Sequence, residues 1–110
     1  MIGRNQMTKQ KLYDTTDMYS LAFKNLDALS GYSKLERSML IGSLIILKRE
    51  KKSASIEELA RFAASHDATP LYRDDSLDPN REGIYIALLK QIYPMQSSEL
   101  VLAYQRELKK

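Results

Sequence analysis

The feature that most constrains the fold is a helix that is apolar on more than one face. Ser33 and Glu36 have the capping-box spacing, in which each side chain satisfies the other's backbone N–H group. They open a helical segment that runs to about Lys51 and carries these apolar residues: Leu35, Met39, Leu40, Ile41, Leu44, Ile45, Ile46 and Leu47. A helix with so large an apolar circumference is either central in its domain or covered by a second chain.

Two further helices are predicted on either side of this one. From Leu12 onward, apolar residues recur at spacings of three and four, which places them on one stripe of a helix. The stripe consists of Met18, Tyr19, Ala22, Phe23, Leu26 and Leu29. Gly31 then supplies a natural stop. Ser55 and Glu58 repeat the capping-box spacing and predict a short helix to about Ser65.

The C-terminal part predicts two more helices. Asp78-Pro79 suits the N-cap and first position of a helix that continues to Tyr93. Helix is favoured there, but residues 83–89 are also compatible with a buried strand, because a short apolar run does not fix its own period. Ser97 or Ser98 is expected to cap the last amphipathic helix. The sequence therefore predicts an all-α fold with about five helices.

Length and composition limit the chain to one domain. A chain of 110 residues with 44% apolar and 28% charged residues forms one ordinary globular core. Residues 1–10 are polar and basic without periodicity, so we expect a flexible basic arm before a single helical domain over residues 11–110. There is no cysteine and no apolar stretch near the roughly 20 residues that span a bilayer. A cytoplasmic protein without membrane contact is expected.

The residues that usually carry catalysis are scarce, and we expect no enzyme activity. His66 is the only histidine, and a nucleophile usually needs such a base; we expect it in an exposed loop. Asp74, Asp75, Asp78 and Glu82 have the chemistry of a Mg²⁺ site, but acids ahead of a helix are explained by capping and the helix dipole. The sequence predicts no catalytic, cofactor or metal site.

Clustered basic residues are the remaining candidates for a binding function. The net charge is only +3, but the apolar helix ends in a basic run that suits either the helix dipole or DNA phosphates. The residues predicted for DNA contact are Lys48, Arg49, Lys51, Lys52, Arg61 and Arg73. Residues 58–73 also show a weak helix-turn-helix sequence pattern. In that pattern Pro70 would lie inside the recognition helix, where it removes a backbone hydrogen-bond donor.

Two segments resemble the FlhD family, the helical subunits of the FlhD–FlhC transcription activator and their relatives on mobile elements. Residues 12–26 are similar to the family's first helix, and the matching residues are Tyr13, Asp14, Tyr19, Leu21 and Leu26. Residues 61–75 are similar to a helix end and loop of the family if one residue is dropped after Arg73, and the matching residues are Ala63, Tyr72, Arg73, Asp74 and Asp75.

The resemblance implies a homodimer with exchanged helices that joins an FlhC-like partner on double-stranded promoter DNA. Any zinc would belong to that partner, so this chain itself would bind no cofactor. The residues predicted for the dimer or partner interface are Tyr19, Phe23, Met39, Leu40, Leu44, Ile45 and Leu47. The alternative function is a helical protein-binding adaptor or immunity-type bundle, in which the charge runs are solvated faces without nucleic-acid contact.

Overall fold

Helices dominate the computed structural model, which describes residues 11–69 and 80–110. Over these residues the chain forms five α-helices: α1 Thr15–Lys24, α2 Lys34–Glu50, α3 Ile56–Asp67, α4 Ile84–Ile92 and α5 Ser97–Leu108. Short 3₁₀ segments cover Leu26–Leu29 and Pro94–Gln96. The predicted all-α class and the number of helices are confirmed.

The N-terminal helix is shorter than its periodicity predicted. The chain first forms β1, Tyr13–Asp14, which pairs antiparallel with β2, Ser53–Ala54, so the helix starts at Thr15 and not near Leu12. The Asp14 carboxylate caps α1 by accepting hydrogen bonds from two backbone N–H groups of the first turn, at 2.8 and 3.0 Å. Gly31 is not the stop, because α1 already ends at Lys24, with Asn25 as its C-cap, and a 3₁₀ segment follows.

Both capping boxes form as predicted. The Ser33 hydroxyl accepts from the Glu36 backbone N–H at 3.0 Å, and the Glu36 carboxylate accepts from the Ser33 N–H at 3.1 Å. Ser55 and Glu58 make the same pair of bonds at 3.2 and 2.9 Å. These local signals fixed the starts of α2 and α3 because each box uses only residues of the helix that it caps.

The start of α4 differs from the prediction. The described residues 80–83 are not helical, and the helix begins at Ile84 with Gly83 as its N-cap. A helix that opens at Asp78-Pro79 is therefore wrong, although those two residues themselves lie outside the described part. The choice of helix over strand for residues 83–89 is confirmed from residue 84 onward.

A side chain from another helix caps α4. Glycine has no side chain with which to cap, and the Asp67 carboxylate at the end of α3 accepts from the backbone N–H groups of Tyr85 at 3.1 Å and Ile86 at 3.2 Å. The Tyr104 hydroxyl of α5 donates to the same carboxylate at 2.9 Å. Asp67 thus joins α3, α4 and α5 at one point, and a Cβ at Gly83 would overlap its carboxyl group.

Helix α5 begins without a serine cap. It follows directly on the 3₁₀ segment Pro94–Gln96, so Gln96 stands at the N-cap position and makes no side-chain capping bond. The prediction that Ser97 or Ser98 caps this helix is wrong, because Ser97 already belongs to its first turn.

The central helix is α4 and not α2. Residues 84–89 of α4 are all buried, and α4 contacts α1, α2, α3 and α5. The largest fully buried hydrophobic side chains come from several helices and from the 3₁₀ segment after α1: Met18, Leu29, Leu40, Leu44, Leu59, Ile84, Tyr85, Ile86, Leu88 and Leu100. Helix α2 packs against one side of this core, so some of its apolar side chains are exposed to solvent.

Buried polar groups fix how α2 sits against α4. The hydroxyls of Ser43 and Tyr85 lie 2.7 Å apart in the core. The buried Glu36 carboxylate accepts two hydrogen bonds from Arg81 at 2.8 and 2.9 Å, and the Arg81 guanidinium stacks on the Tyr32 ring at 4.2 Å. Within residues 11–69 and 80–110, no buried side-chain N or O atom lacks a partner, and no helix has the length and apolar character to cross a membrane.

Candidate assembly surface and basic end of helix α2

One stripe of α2 presents apolar side chains to solvent. Leu35 is 67% exposed and Ile46 is 52% exposed, while Met39 between them is half-buried. With Gly42, these residues follow one another at spacings of four, three and four, so they lie on one side of the helix. This side points away from Leu40 and Leu44, which are fully buried.

Gly42 forms a notch in the middle of the stripe. It is exposed, and a Cβ added there would meet no atom of the described residues within 4 Å. Packing among those residues therefore does not require a glycine here. A glycine in a helix interior lowers helix stability, by about 0.5–1 kcal/mol relative to alanine, so the stripe keeps a residue that is unfavourable for the isolated helix.

Helix α1 packs against α2 on a different side from the apolar stripe. The Lys48 ammonium lies 4.5 Å from the centroid of the Tyr19 ring, which places this flank of α1 beside the C-terminal half of α2. Phe23, one turn further along α1, contacts Tyr19 edge to face at 5.2 Å and is 50% exposed. Phe23 is thus a separate exposed apolar residue, and we call Leu35, Met39, Gly42 and Ile46 together the α2 face.

The residues predicted for an interface differ in how exposed they are. Phe23 is exposed, and four others are half-buried: Tyr19, Met39, Ile45 and Leu47. Leu40 and Leu44 lie in the core of this chain, so their assignment to an interface is corrected to internal packing. The sequence did not single out the exposed Leu35 and Ile46, because it shows that α2 is apolar on several sides but not which side the rest of the chain covers.

Two of the cations predicted for DNA contact are paired with carboxylates and share one hollow. Lys51 Nζ lies 2.7 Å from Glu58 Oε2, and Arg61 Nε lies 3.6 Å from Glu107 Oε2. The hydrogen bond from Lys51 is the main reason that the pKa of Glu58 lies below its usual value. Lys51 and Arg61 both border a surface hollow of about 280 Å³ between the end of α2 and α3.

The other predicted cations differ in their availability. Arg49 and Lys52 are exposed, and no carboxylate in the described part of the chain lies within ion-pair distance of them. The Lys48 ammonium is held over the Tyr19 ring. Arg73 lies outside the described residues. Arg49 and Lys52 are therefore the cations best placed to meet a phosphate from solvent.

His66 lies in a helix and not in the exposed loop that was expected. It belongs to the last turn of α3, is half-buried, and its Nδ1 lies 2.8 Å from the backbone oxygen of Phe62. Its ring contacts those of Phe62 and Tyr85, with centroids 4.2 and 4.8 Å away, and these two rings also contact each other at 5.6 Å. These contacts hold the ring as part of the packing between α3 and α4.

Metal-binding groups are not assembled in the part of the chain that can be assessed. Residues 11–69 and 80–110 contain no cluster of three or more His, Cys, Asp or Glu side chains suited to a metal ion. Asp74, Asp75 and Asp78 of the acidic group lie outside those ranges, and the Glu82 carboxylate is paired with Lys90 at 3.0 Å. The last part of the weak helix-turn-helix sequence pattern, residues 70–73, also lies outside the described residues.

A second hollow, of about 460 Å³, lies between β1 and helices α3 and α5. Its charged groups include Glu57, which faces Arg106 at 3.6 Å, and Lys11, whose ammonium lies 5.2 Å from the centroid of the Tyr13 ring. With these opposite charges close together, the hollow has no strong charge preference for a ligand.

No protein-family model, curated protein or solved structure matches the chain.

Proposed function

We propose that the chain is a transcription activator subunit of the FlhD type, which binds promoter DNA together with an FlhC-like partner. The supporting observation is that a single helix, α2, combines an exposed apolar face with a basic C-terminal end. Contiguous exposed apolar surface in a soluble protein marks an interaction site. A basic end beside such a site suits a subunit that is held on DNA by its partner while adding phosphate contacts of its own.

The α2 face serves assembly in this proposal. Covering Leu35 and Ile46 with another surface would lower the free energy of the assembly. The chain itself leaves them in water, because its core lies on the opposite side of the helix. The homodimer with exchanged helices and the FlhC-like partner come from the family resemblance, and both remain proposals. Either contact would cover apolar side chains that the single chain leaves in water.

The basic end serves DNA contact, with a definite order of importance. Among the described residues, Arg49 and Lys52 have no carboxylate partner to leave when a phosphate approaches, whereas Lys51 and Arg61 must first exchange Glu58 and Glu107 for it. Breaking an ion pair offsets part of the gain from the new contact. We therefore assign the larger contribution to Arg49 and Lys52.

Charge reversal in the assembled complex tests the DNA assignment. The double variant Arg49→Glu, Lys52→Glu is co-expressed with the FlhC-like subunit from the same genome, and DNA affinity is measured over a range of salt concentrations. Loss of two phosphate contacts lowers the slope of log affinity against log salt by about 1.8, at about 0.9 per contact. Lys109→Glu is the control, since Lys109 is an exposed lysine near the C-terminal end that forms no ion pair within the described residues.

Two results would contradict the proposal. The first is a double variant whose affinity and salt slope equal those of the Lys109→Glu control, which would remove Arg49 and Lys52 from the DNA contact. The second is failure of the wild-type chain to form any DNA-binding complex with an FlhC-like subunit, which would remove the function itself.

A protein-binding adaptor or immunity-type bundle remains the second candidate. The pairing of Lys51 with Glu58 and of Arg61 with Glu107 favours it, because those cations are neutralised within the chain. Purification of the tagged chain with its cellular partner separates the two candidates. A cysteine-rich, zinc-containing partner supports the activator subunit, and a toxin or enzyme bound in the absence of DNA supports the adaptor.

A further inference from the structure

We infer that Glu58 restrains the binding of Lys51 to DNA phosphates, and so limits non-specific DNA binding by this chain. The inference rests on the proposed function, because it concerns the basic end of α2 that is assigned there to DNA. It is carried by the contacts that hold Glu58 and Lys51 against each other. Glu58 is then a specificity-determining residue that acts through Lys51.

The Glu58 carboxylate is fixed by its own helix. Its Oε1 atom accepts the Ser55 backbone N–H at 2.9 Å in the capping box of α3, and its Oε2 atom lies 2.7 Å from Lys51 Nζ. The two oxygens therefore have separate partners, and the capping bond holds the carboxylate in place whether or not Lys51 remains. The first turn of a helix also favours a negative charge.

The backbone of Lys51 is held as well. Its N–H donates to the Leu47 backbone oxygen at 2.8 Å, and its own backbone oxygen accepts the Thr15 hydroxyl at 2.5 Å. Exposed ion pairs are weak partly because two long side chains must be ordered. Here the Glu58 side chain is ordered by its capping bond already, so only the Lys51 side chain loses freedom when the pair forms.

A phosphate that approaches the end of α2 meets cations in different states. Arg49 and Lys52 are exposed and have no carboxylate partner among the described residues. Lys51 lies between them in sequence, but Glu58 opposes its charge. The fixed carboxylate both competes for the ammonium and repels the phosphate. Because non-specific affinity depends on how many phosphates are neutralised, Glu58 lowers it by about one contact.

The other ion pair at the same hollow is a weaker restraint. Arg61 Nε lies 3.6 Å from Glu107 Oε2, which is longer than a hydrogen bond, and Glu107 also binds Lys110 at 2.9 Å. Its carboxylate is therefore shared between two cations, whereas Glu58 contacts Lys51 alone among the cations of the described residues. We assign the restraint to Glu58.

Glu58→Gln separates the charge of Glu58 from its capping role. Glutamate and glutamine both serve in a capping box, so the variant keeps the oxygen that accepts the Ser55 N–H. Binding of the full-length variant to a short fluorescent duplex of random sequence is followed by anisotropy over a range of salt concentrations. We expect about twofold to fivefold tighter binding than wild type, the range for release of one exposed ion pair. The slope of log affinity against log salt should be steeper by about 0.9.

Glu50→Gln and Glu57→Gln are the matched controls, since each makes the same change in net charge. Glu50 lies at the same end of α2, is exposed and forms no ion pair within the described residues. Glu57 shares the first turn of α3 with Glu58 but faces Arg106 of α5 at 3.6 Å. Neither frees Lys51, so neither should steepen the salt slope. Thermal unfolding confirms that the variants are folded.

Substitution of Lys51 shows whether the gain passes through this residue. Lys51→Gln in the wild-type chain should leave the salt slope unchanged, because Lys51 makes no phosphate contact while Glu58 holds it. In the Glu58→Gln background the same substitution should remove the added slope. The effects of the two substitutions are then not additive, as expected for residues in direct contact.

Three results would overturn the inference. An equal rise of affinity and slope in Glu58→Gln and in the controls assigns the effect to net charge. A lower salt slope for Lys51→Gln in the wild-type chain shows that Lys51 already contacts phosphate. Duplex binding by Glu58→Gln that equals wild type, or that is absent even at low salt, removes Glu58 from any role in DNA contact.

The proposed function fails independently of these results. If Glu58→Gln has no effect but the complex with the FlhC-like subunit still binds promoter DNA, only the role of Glu58 is wrong. If duplex binding tightens as expected while no promoter complex forms, the restraint on Lys51 stands and the activator function fails.

Discussion

The Asp67 carboxylate is half-buried at the meeting point of three helices. Burial raises the pKa of this carboxyl, and the hydrogen bonds that it accepts from Tyr85, Tyr104 and Ile86 oppose the rise. The same environment raises the pKa of the Tyr104 phenol, through burial first and the nearby Asp67 charge second. A capping carboxylate held from another helix is therefore both a structural link and a titrating group.

Removal of the Asp67 side chain should destabilise the protein. The Asp67→Ala variant leaves two backbone N–H groups at the start of α4 and the Tyr104 hydroxyl without their acceptor. Leaving buried donors unsatisfied costs about 1–3 kcal/mol, and we expect a loss of that size in the free energy of unfolding, measured by urea denaturation. Asp27→Ala, at an exposed acid in a 3₁₀ segment, should change it by less than about 0.5 kcal/mol. A loss equal to that of the control would contradict the capping role.

The stabilising effect of Asp67 should decrease as the pH rises. The folded state binds the Asp67 proton more tightly than the unfolded chain does, because the pKa is raised above its ordinary value of 3.8. The contribution of the carboxyl is then fully present below pH 3.8 and is partly lost as the pH rises through the folded-state pKa. The measurement is the difference in unfolding free energy between wild type and Asp67→Ala over a series of pH values. A difference that grows with pH would show the opposite shift.

Alanine at Gly83 and alanine at Gly42 should have opposite effects on stability. Gly83 has an ordinary backbone conformation, with φ of −63°, but a Cβ there overlaps the Asp67 carboxyl, so Gly83→Ala should destabilise by about 1–3 kcal/mol. Gly42→Ala should stabilise by about 0.5–1 kcal/mol, because the position is helical and open. Thermal unfolding of both variants checks the pair. Equal effects would mean that the space around Gly83 is not limiting.

The longest of the described helices is not the one that lies at the centre of the core. Helix α4 has 9 residues and is buried from residue 84 to residue 89, whereas α2 has 17 residues and leaves a complete stripe in solvent. The short helix is central because its neighbours surround it, and because Asp67 caps it from outside. The long helix starts by its own capping box and therefore depends less on the rest of the chain for its first turn.

The hydroxyl of Ser33 in the capping box of α2 should make a measurable contribution to the free energy of unfolding. Ser33→Ala removes the acceptor of the Glu36 N–H and should lower the unfolding free energy by about 0.5–2 kcal/mol. Ser38→Ala, at an exposed position inside the same helix, should have an effect near zero or slightly positive, because alanine is the better helix former. Urea denaturation of both variants makes the comparison. Similar losses in both would mean that the cap contributes nothing.

The whole molecule is held together by contacts between distant parts of the chain. The Thr15 hydroxyl donates to the backbone oxygen of Lys51 at 2.5 Å and approaches that of Lys52 at 3.1 Å, so the start of α1 is fastened beside the end of α2. The rings of Tyr13 and Tyr93 lie 4.8 Å apart and join β1 to the end of α4. One cluster of buried side chains runs through all five described helices.

Unfolding should therefore be a single cooperative transition. Far-ultraviolet circular dichroism reports the helices, and fluorescence reports the seven tyrosines, which are not masked by any tryptophan. Because the helices share one core, we expect the two probes to give coincident urea transitions, as small single domains usually do. An earlier transition by one probe would show that some helices separate from the core before the others.

The sequence by itself determined the helical class and the starts of α2 and α3, since a capping box involves residues only three positions apart. It also placed the basic run at the end of α2, where Arg49 and Lys52 remain exposed. The assignment to DNA, to an FlhC-like partner and to a homodimer stays a prediction. The sequence pointed to helix α2 and to Met39 as candidate surface, but not to the exposed Leu35 and Ile46.

Only the tertiary structure decided which apolar side chains are covered. Periodicity shows that α2 is apolar around much of its circumference, but Leu44 is buried and Ile46 exposed because α4, more than 35 residues away in sequence, occupies one side of the helix. The cap of α4 by Asp67 follows the same rule, since donor and acceptor are 18 residues apart. Local patterns fix local hydrogen bonds, whereas burial depends on which distant segments meet, and that is a property of the folded chain as a whole.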